Sequence, residues 1–199
     1  MTVSGIICTV GTSLISAVSR VDKDRNCGLK KFYDSRDWSG FSNALNLVRQ
    51  PCERVCGAEI NSTFRIIDAG LVPDSAHVYL LYSDSEDGKV VSDLIAGYMR
   101  TFSFSGVETR RVKNLSLDVP SEVFVCEGLF NLACCIKEIA DNYPPGRCIV
   151  NATGGFKAQT GIALVSAFAG GIPVYYMHEK MGEIVCFREV FNLLKNLWE

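Results

Sequence analysis

Histidine is almost absent from the sequence: there are two in 199 residues, His77 and His178. Both adjoin apolar, strand-like runs, which favours strand-end histidines over metal ligands or general bases. A basic excess is missing as well. Twenty Lys and Arg against 22 Asp and Glu leave a formal charge of −2, which argues against a broad basic groove for duplex nucleic acid but leaves room for a compact anion in a local pocket. No G-x-G-x-x-G follows the first apolar run and no Walker A sequence occurs, so an ordinary nucleoside-triphosphate enzyme is disfavoured. The nine cysteines lack a paired zinc-knuckle spacing: Cys52 and Cys56 are separated by three residues, and Cys134 and Cys135 are adjacent. Neither a metal site nor a cofactor is expected from them.

Membrane and export signals are equally poor. The uncharged stretch from Met1 to Ser19 has no positively charged start and is broken by Gly11, so it reads as a buried strand and its turn rather than a signal peptide. The stretch from Ala158 to Met177 is long enough to span a bilayer but contains Gln159, Thr160, Ser166, Gly170, Gly171 and Pro173. It reads as a buried helix followed by a strand. Thiols without a secretory signal point to a reducing, cytoplasmic setting in which they serve as small core residues.

What the chain does have is 48% hydrophobic and 21% charged residues, the composition of a folded globular protein with a real core. At this length one domain over residues 1–199 is expected. Ile6 to Val10 reads as a first strand, His77 to Tyr82 as a second, Val107 to Val112 as a third, Cys148 to Val150 as a fourth and Ile172 to Met177 as a fifth. Ile184 to Phe187 pairs with the fifth as a hairpin across Lys180 to Gly182. Helices are expected over Phe41 to Val55, preceded by a loop, over Glu59 to Ala69, after Ser83 to Ser85, and from about Ser121 to Asn142. The last of these is stopped by Tyr143-Pro144-Pro145-Gly146. An apolar helix follows Lys157 and an amphipathic one closes the chain. Continuous apolar strands alternating with helices argue for an α/β fold, a doubly wound, mainly parallel Rossmann-like sheet with helices on both faces.

In such a sheet, ligands bind beyond the carboxyl ends of the strands. Three corners there combine small residues with hydroxyls: Gly11-Thr12-Ser13, Ser83-Asp84-Ser85, and Asn151-Ala152-Thr153-Gly154-Gly155-Phe156-Lys157. The last precedes a helix whose free N–H groups and positive dipole end favour an anion. Each also has a plain structural reading, with Ser13 as a helix cap, the glycines as turn formers and Lys157 as a solvated first-turn residue.

Three segments resemble the CRISPR-associated Rossmann-fold (CARF) proteins: GTSLI from Gly11 to Ile15, YLLYSDSEDGKVVSDLIAGYM from Tyr79 to Met99, and NATGGFKAQTGIALVSAFAGGIPVYYMHE from Asn151 to Glu179. They are most similar to the small stand-alone group that includes the CRISPR ring nucleases. The resemblance implies a single CARF domain forming a homodimer that binds a cyclic oligoadenylate, most often the tetra-adenylate, in a cleft on the two-fold axis. Ser13 and Lys157 match the serine and lysine that carry ring-opening activity in those proteins. By the same resemblance, Gly11, Thr12, Ser83, Asp84, Asn151, Thr153, Gly154, Gly155 and Phe156 are the expected ligand-binding residues. Neither histidine has an Arg four to six residues upstream, so the ribonuclease motif of larger effector relatives is lacking. The alternatives are a ring nuclease, a non-catalytic sensor of the same messenger, and an unrelated nicotinamide-dependent oxidoreductase, the last weakened by the missing dinucleotide fingerprint.

Overall fold

The computed structural model describes residues 3–20, 28–178 and 182–198. Six strands, β1 Gly5–Val10, β2 His77–Ser83, β3 Gly106–Val112, β4 Cys148–Asn151, β5 Val174–Met177 and β6 Ile184–Cys186, form one sheet in the order β3-β2-β1-β4-β5-β6. All pairs are parallel except β5–β6, which is antiparallel. The chain builds outward from β1 to β3 and then returns to place β4 beside β1 on its other side. The direction of winding reverses there, so the carboxyl ends of β1 and β4 open onto the topological switch point.

Every residue of β1 is buried, because both faces of the sheet are covered. Ile6, Cys8 and Val10 pack into one core with α1 (Ser13–Arg20), α2 (Leu29–Asp34), α3 (Trp38–Asn46), α4 (Gly57–Asp68) and α5 (Glu86–Met99). Ile7, Leu81 and Val150 point the other way, into a second core with α7 (Phe130–Ala140) and α8 (Lys157–Ala169). The helix before α7 begins with a short α6 (Ser121–Val123) and passes through a π-helical segment, Phe124–Leu129. The chain closes with α9 (Arg188–Trp198).

The apolar stretch from residue 158 to 177 divides into α8 and β5, and no helix of the described residues is long and apolar enough to cross a membrane. One expected element is displaced. In place of a loop and a helix over Phe41 to Val55, the chain forms α2 and α3, and the second ends near Asn46. The reason is local: Asp37 caps α3 by accepting the Gly40 N–H at 2.9 Å, which starts the helix early, and fully buried Leu29 anchors α2. The β5–β6 hairpin forms, while part of its expected turn, Lys180 and Met181, lies outside the described residues.

Candidate functional site

Because β1, β2 and β4 run parallel, the corners after them meet at one end of the sheet. They wall an open cavity of about 1140 Å3. Gly11, Thr12, Ser13, Ser83, Thr153, Gly154, Gly155 and Phe156 line it, together with Arg65, Gln159 and the acidic Glu86, Asp87 and Asp118. Arg65, held by its Nε donating to Asn61 Oδ1 at 2.9 Å, is the cation of this lining among the described residues.

Ser13 is more than the first residue of α1. Its hydroxyl donates to Glu59 Oε2 and accepts the Ala58 N–H at 2.8 Å, so it caps the neighbouring helix α4 instead of its own. The other Glu59 carboxylate oxygen accepts the Gly11 N–H at 2.8 Å. Glu59 is 1% exposed and wedges between the two central corners. A Cβ on Gly154 would lie 2.4 Å from Glu59 Oε1 and 2.5 Å from the Thr9 carbonyl oxygen, and Thr9 itself donates to the Gly154 carbonyl at 2.6 Å. Gly11 is likewise pressed on the other corner, since a Cβ there would meet the Gly155 nitrogen at 2.8 Å. The tight corners are therefore glycine because backbone and a carboxylate fill the space a side chain would take.

Burial pushes the Glu59 carboxyl above its ordinary value, opposed by the hydrogen bonds from Ser13 and Gly11. The folded state then holds this proton more tightly than the unfolded chain. Its contribution to stability consequently declines as pH rises from the ordinary carboxylate range through the folded value. Urea midpoints of wild type and Glu59→Gln at pH 5 and pH 8 check this, with the variant expected to gain on wild type at the higher pH.

Gln159 is fully buried, and its Oε1 accepts the Phe156 N–H at 2.9 Å, while its Nε2 has no hydrogen-bond partner among the described residues. A buried amide donor left unpaired at a cavity wall costs about 1–3 kcal/mol unless a ligand or water engages it. Phe156 packs on Phe124 with ring centroids 5.7 Å apart.

Three expected site residues do not line the cavity. Asn151 is buried at the end of β4, where its amide donates to Ser62 Oγ at 2.8 Å and Thr63 Oγ1 at 3.1 Å and its oxygen accepts the Thr153 N–H at 3.2 Å. Asp84 accepts the Asn114 N–H at 3.0 Å and lies 3.6 Å from Arg111, tying down the loop after β3. Both shape the walls through buried or cross-strand partners. Lys157 is exposed as the first residue of α8, immediately after cavity-lining Phe156. Of the cavity residues that are, Thr153 accepts the Met177 N–H at 3.0 Å and so joins β5 to the corner. Ser85, bonded to Ser83 at 3.0 Å, caps α5 by accepting the Gly88 N–H. Among the described residues no cluster of His, Cys, Asp and Glu could hold a metal ion.

A polar, donor-bearing cavity at the switch point of a Rossmann-like sheet is the place where α/β proteins commonly hold ligands. The profile of the family described as CRISPR-associated protein (Cas_APE2256) matches residues 54–188, and the chain belongs to that family. The match includes Lys157 and Glu59, while Ser13 lies before it. Among solved structures, Can2 from Sulfobacillus thermosulfidooxidans in complex with cyclic tetra-adenylate is similar, with 14% identity and a TM-score of 0.44. That similarity covers 92% of this chain and 36% of the other, so the chain spans about a third of the other's length. No curated protein sequence matches it.

Proposed function

We propose that this CRISPR-associated protein binds a cyclic oligoadenylate, the tetra-adenylate above all, across the two-fold axis of a homodimer, and opens the ring to a linear product ending in a 2′,3′-cyclic phosphate. The observation that carries the reading is the cavity between the β1 and β4 corners, walled by hydroxyls, by Arg65 and by the unpaired Gln159 amide donor. Its volume exceeds the range of about 300–1000 Å3 common for small-molecule sites, as suits a ligand larger than a mononucleotide.

The lining is electrostatically divided. Arg65, Gln159 and the start of α8 offer donors to phosphate oxygens, while Ser13, Glu86, Asp87 and Asp118 offer acceptors to adenine amino groups and ribose hydroxyls. Ring opening of an RNA-like phosphodiester requires no added nucleophile, because a 2′-hydroxyl aligned with the adjacent phosphorus attacks it. Positioning and charge stabilisation then supply the rate, with Ser13 orienting the reacting ribose and Lys157 meeting the phosphate. Lys157 stands outside the lining of one chain's cavity, so its contact with the ring depends on the two-fold arrangement. Exposed Val165 on α8 and Leu193 and Leu197 on α9 supply apolar surface for a dimer contact.

The sensor reading, in which the ring is bound but left intact, draws on that same exposed position of Lys157. Binding and assembly are tested together by light scattering and calorimetric titration with cyclic tri-, tetra- and hexa-adenylate. A dimer binding one tetra-adenylate per two chains is expected. A monomer at micromolar concentration with and without the ring, or no heat with any ring, contradicts it.

A further inference from the structure

Ser13 carries one hydroxyl proton and two lone pairs. With Glu59 ionised, the proton is donated to Glu59 Oε2 and one lone pair accepts the Ala58 N–H. What remains for the cavity is a single lone pair, so Ser13 meets a ligand as an acceptor. We propose that Glu59 is a positioning residue that sets the direction of the Ser13 proton and takes up, through Ser13, the proton released by the ribose 2′-hydroxyl during ring opening. This rests on the ring-binding reading above.

The step balances without a further reactant. The 2′-oxygen forms its bond to phosphorus as the bond from phosphorus to the 5′-oxygen breaks. The 2′-hydroxyl proton passes to Ser13 Oγ while the Ser13 proton passes to Glu59 Oε2, and the departing 5′-oxygen takes a proton from water. Glu59 returns its proton to solvent by the same route after product leaves.

The geometry suits a base of this kind. Glu59 has no ion-pair partner among the described residues, and the cavity hydroxyl its carboxylate accepts from is that of Ser13. Of the described groups that face it from β1, α1 and the β4–α8 corner, the titratable one is the Cys8 thiol, which burial pushes up to about 12 and keeps neutral. Burial likewise raises Glu59, bringing it towards the range in which a base both accepts and returns protons.

Glu59→Gln reads out the proton directly. Gly11 N–H needs an acceptor, so the Gln oxygen must face it and the amide NH2 must face Ser13 Oγ, which turns the Ser13 proton towards the cavity. The test compares wild type and Glu59→Gln for two ligands, cyclic tetra-adenylate and its 2′-fluoro analogue, whose fluorine cannot donate a hydrogen bond. Wild type is expected to bind the fluoro ring about tenfold more weakly, the effect of one lost hydrogen bond, and the variant to bind both alike.

Single-turnover ring opening by the variant is expected to be about 100-fold slower, at the low end for general-base catalysis, with the acidic limb of the wild-type pH–rate profile gone. Equal binding of both rings by wild type, or a variant that keeps the acidic limb, overturns the relay. A wild type that discriminates between the rings but cleaves neither removes the ring-opening reading and the proton uptake while leaving Ser13 an acceptor. Failure to bind any ring removes both readings. Unfolding midpoints near the wild-type value show that the variant is folded.

Discussion

Lys157→Ala is expected to slow single-turnover ring opening between about 100-fold and about 1000-fold, the loss typical of removing one group that stabilises transition-state charge. That corresponds to about 2.7–4 kcal/mol, since each 1.36 kcal/mol is about tenfold. Stability should barely change, because Lys157 is exposed at the first position of α8. Affinity falls less than rate if the ammonium meets charge that grows on the phosphate oxygens, so rates must be taken at saturating protein. Chemical denaturation and circular dichroism of the same preparation check that the fold survives. A variant that binds less tightly yet opens bound ring at the wild-type rate would limit Lys157 to ground-state binding.

The second large effect is structural. Gly154→Ala places a Cβ 2.4 Å from Glu59 Oε1 and 2.5 Å from the Thr9 carbonyl oxygen. One neighbour is backbone in a central strand and the other is pinned by Gly11 and Ser13, so neither yields cheaply. Overpacking of this kind costs about 1–3 kcal/mol, and the expected result is a lower urea midpoint at an unchanged denaturant slope. The same displacement moves Glu59 away from Ser13, so ring opening should fall along with stability. A partial return of stability, with ring opening still low, on combining Gly154→Ala with Glu59→Ala, which vacates the space, would show that the carboxylate is the obstacle.

The corners of the site were legible in the sequence because they are local. An apolar run ending in Gly11-Thr12-Ser13 or Asn151 to Gly155 announces a strand that turns into a helix, and Ser85 followed by acidic residues announces the cap of α5. Parallel pairing then brings such corners to one end whatever the detailed strand order. Glu59, Arg65 and Gln159 escaped because each sits within a helix where a polar residue ordinarily reads as solvent-facing. Only the packing of α4 across the ends of β1 and β4 makes Glu59 buried and Arg65 a cavity residue. For Gln159, one signal was present: a glutamine at the third position of a helix beginning after Phe156, where its side chain reaches back to the first N–H.

Asn151 and Asp84 show the converse. Their positions directly after strands suggested contact with a ligand, yet their partners, Ser62 and Thr63 for one and Asn114 and Arg111 for the other, come from elements far away in sequence. Position along the strand says which end of the sheet a residue reaches. Which way its side chain points at that end depends on the neighbours that complete its hydrogen bonds. The displaced helix boundary near Phe41 has a similar origin, for the Asp37 cap competes with periodicity that runs on towards Val55.

Ring opening in the cavity leaves a defined product. The most direct test is incubation of the purified protein in excess over cyclic tetra-adenylate in the presence of chelator, with chromatographic and mass analysis of the products. The expected product is linear oligoadenylate ending in a 2′,3′-cyclic phosphate and carrying a 5′-hydroxyl, formed at the same rate when metal is supplied. Tight binding with the ring recovered intact under both conditions would contradict it and leave the protein a sensor of the ring.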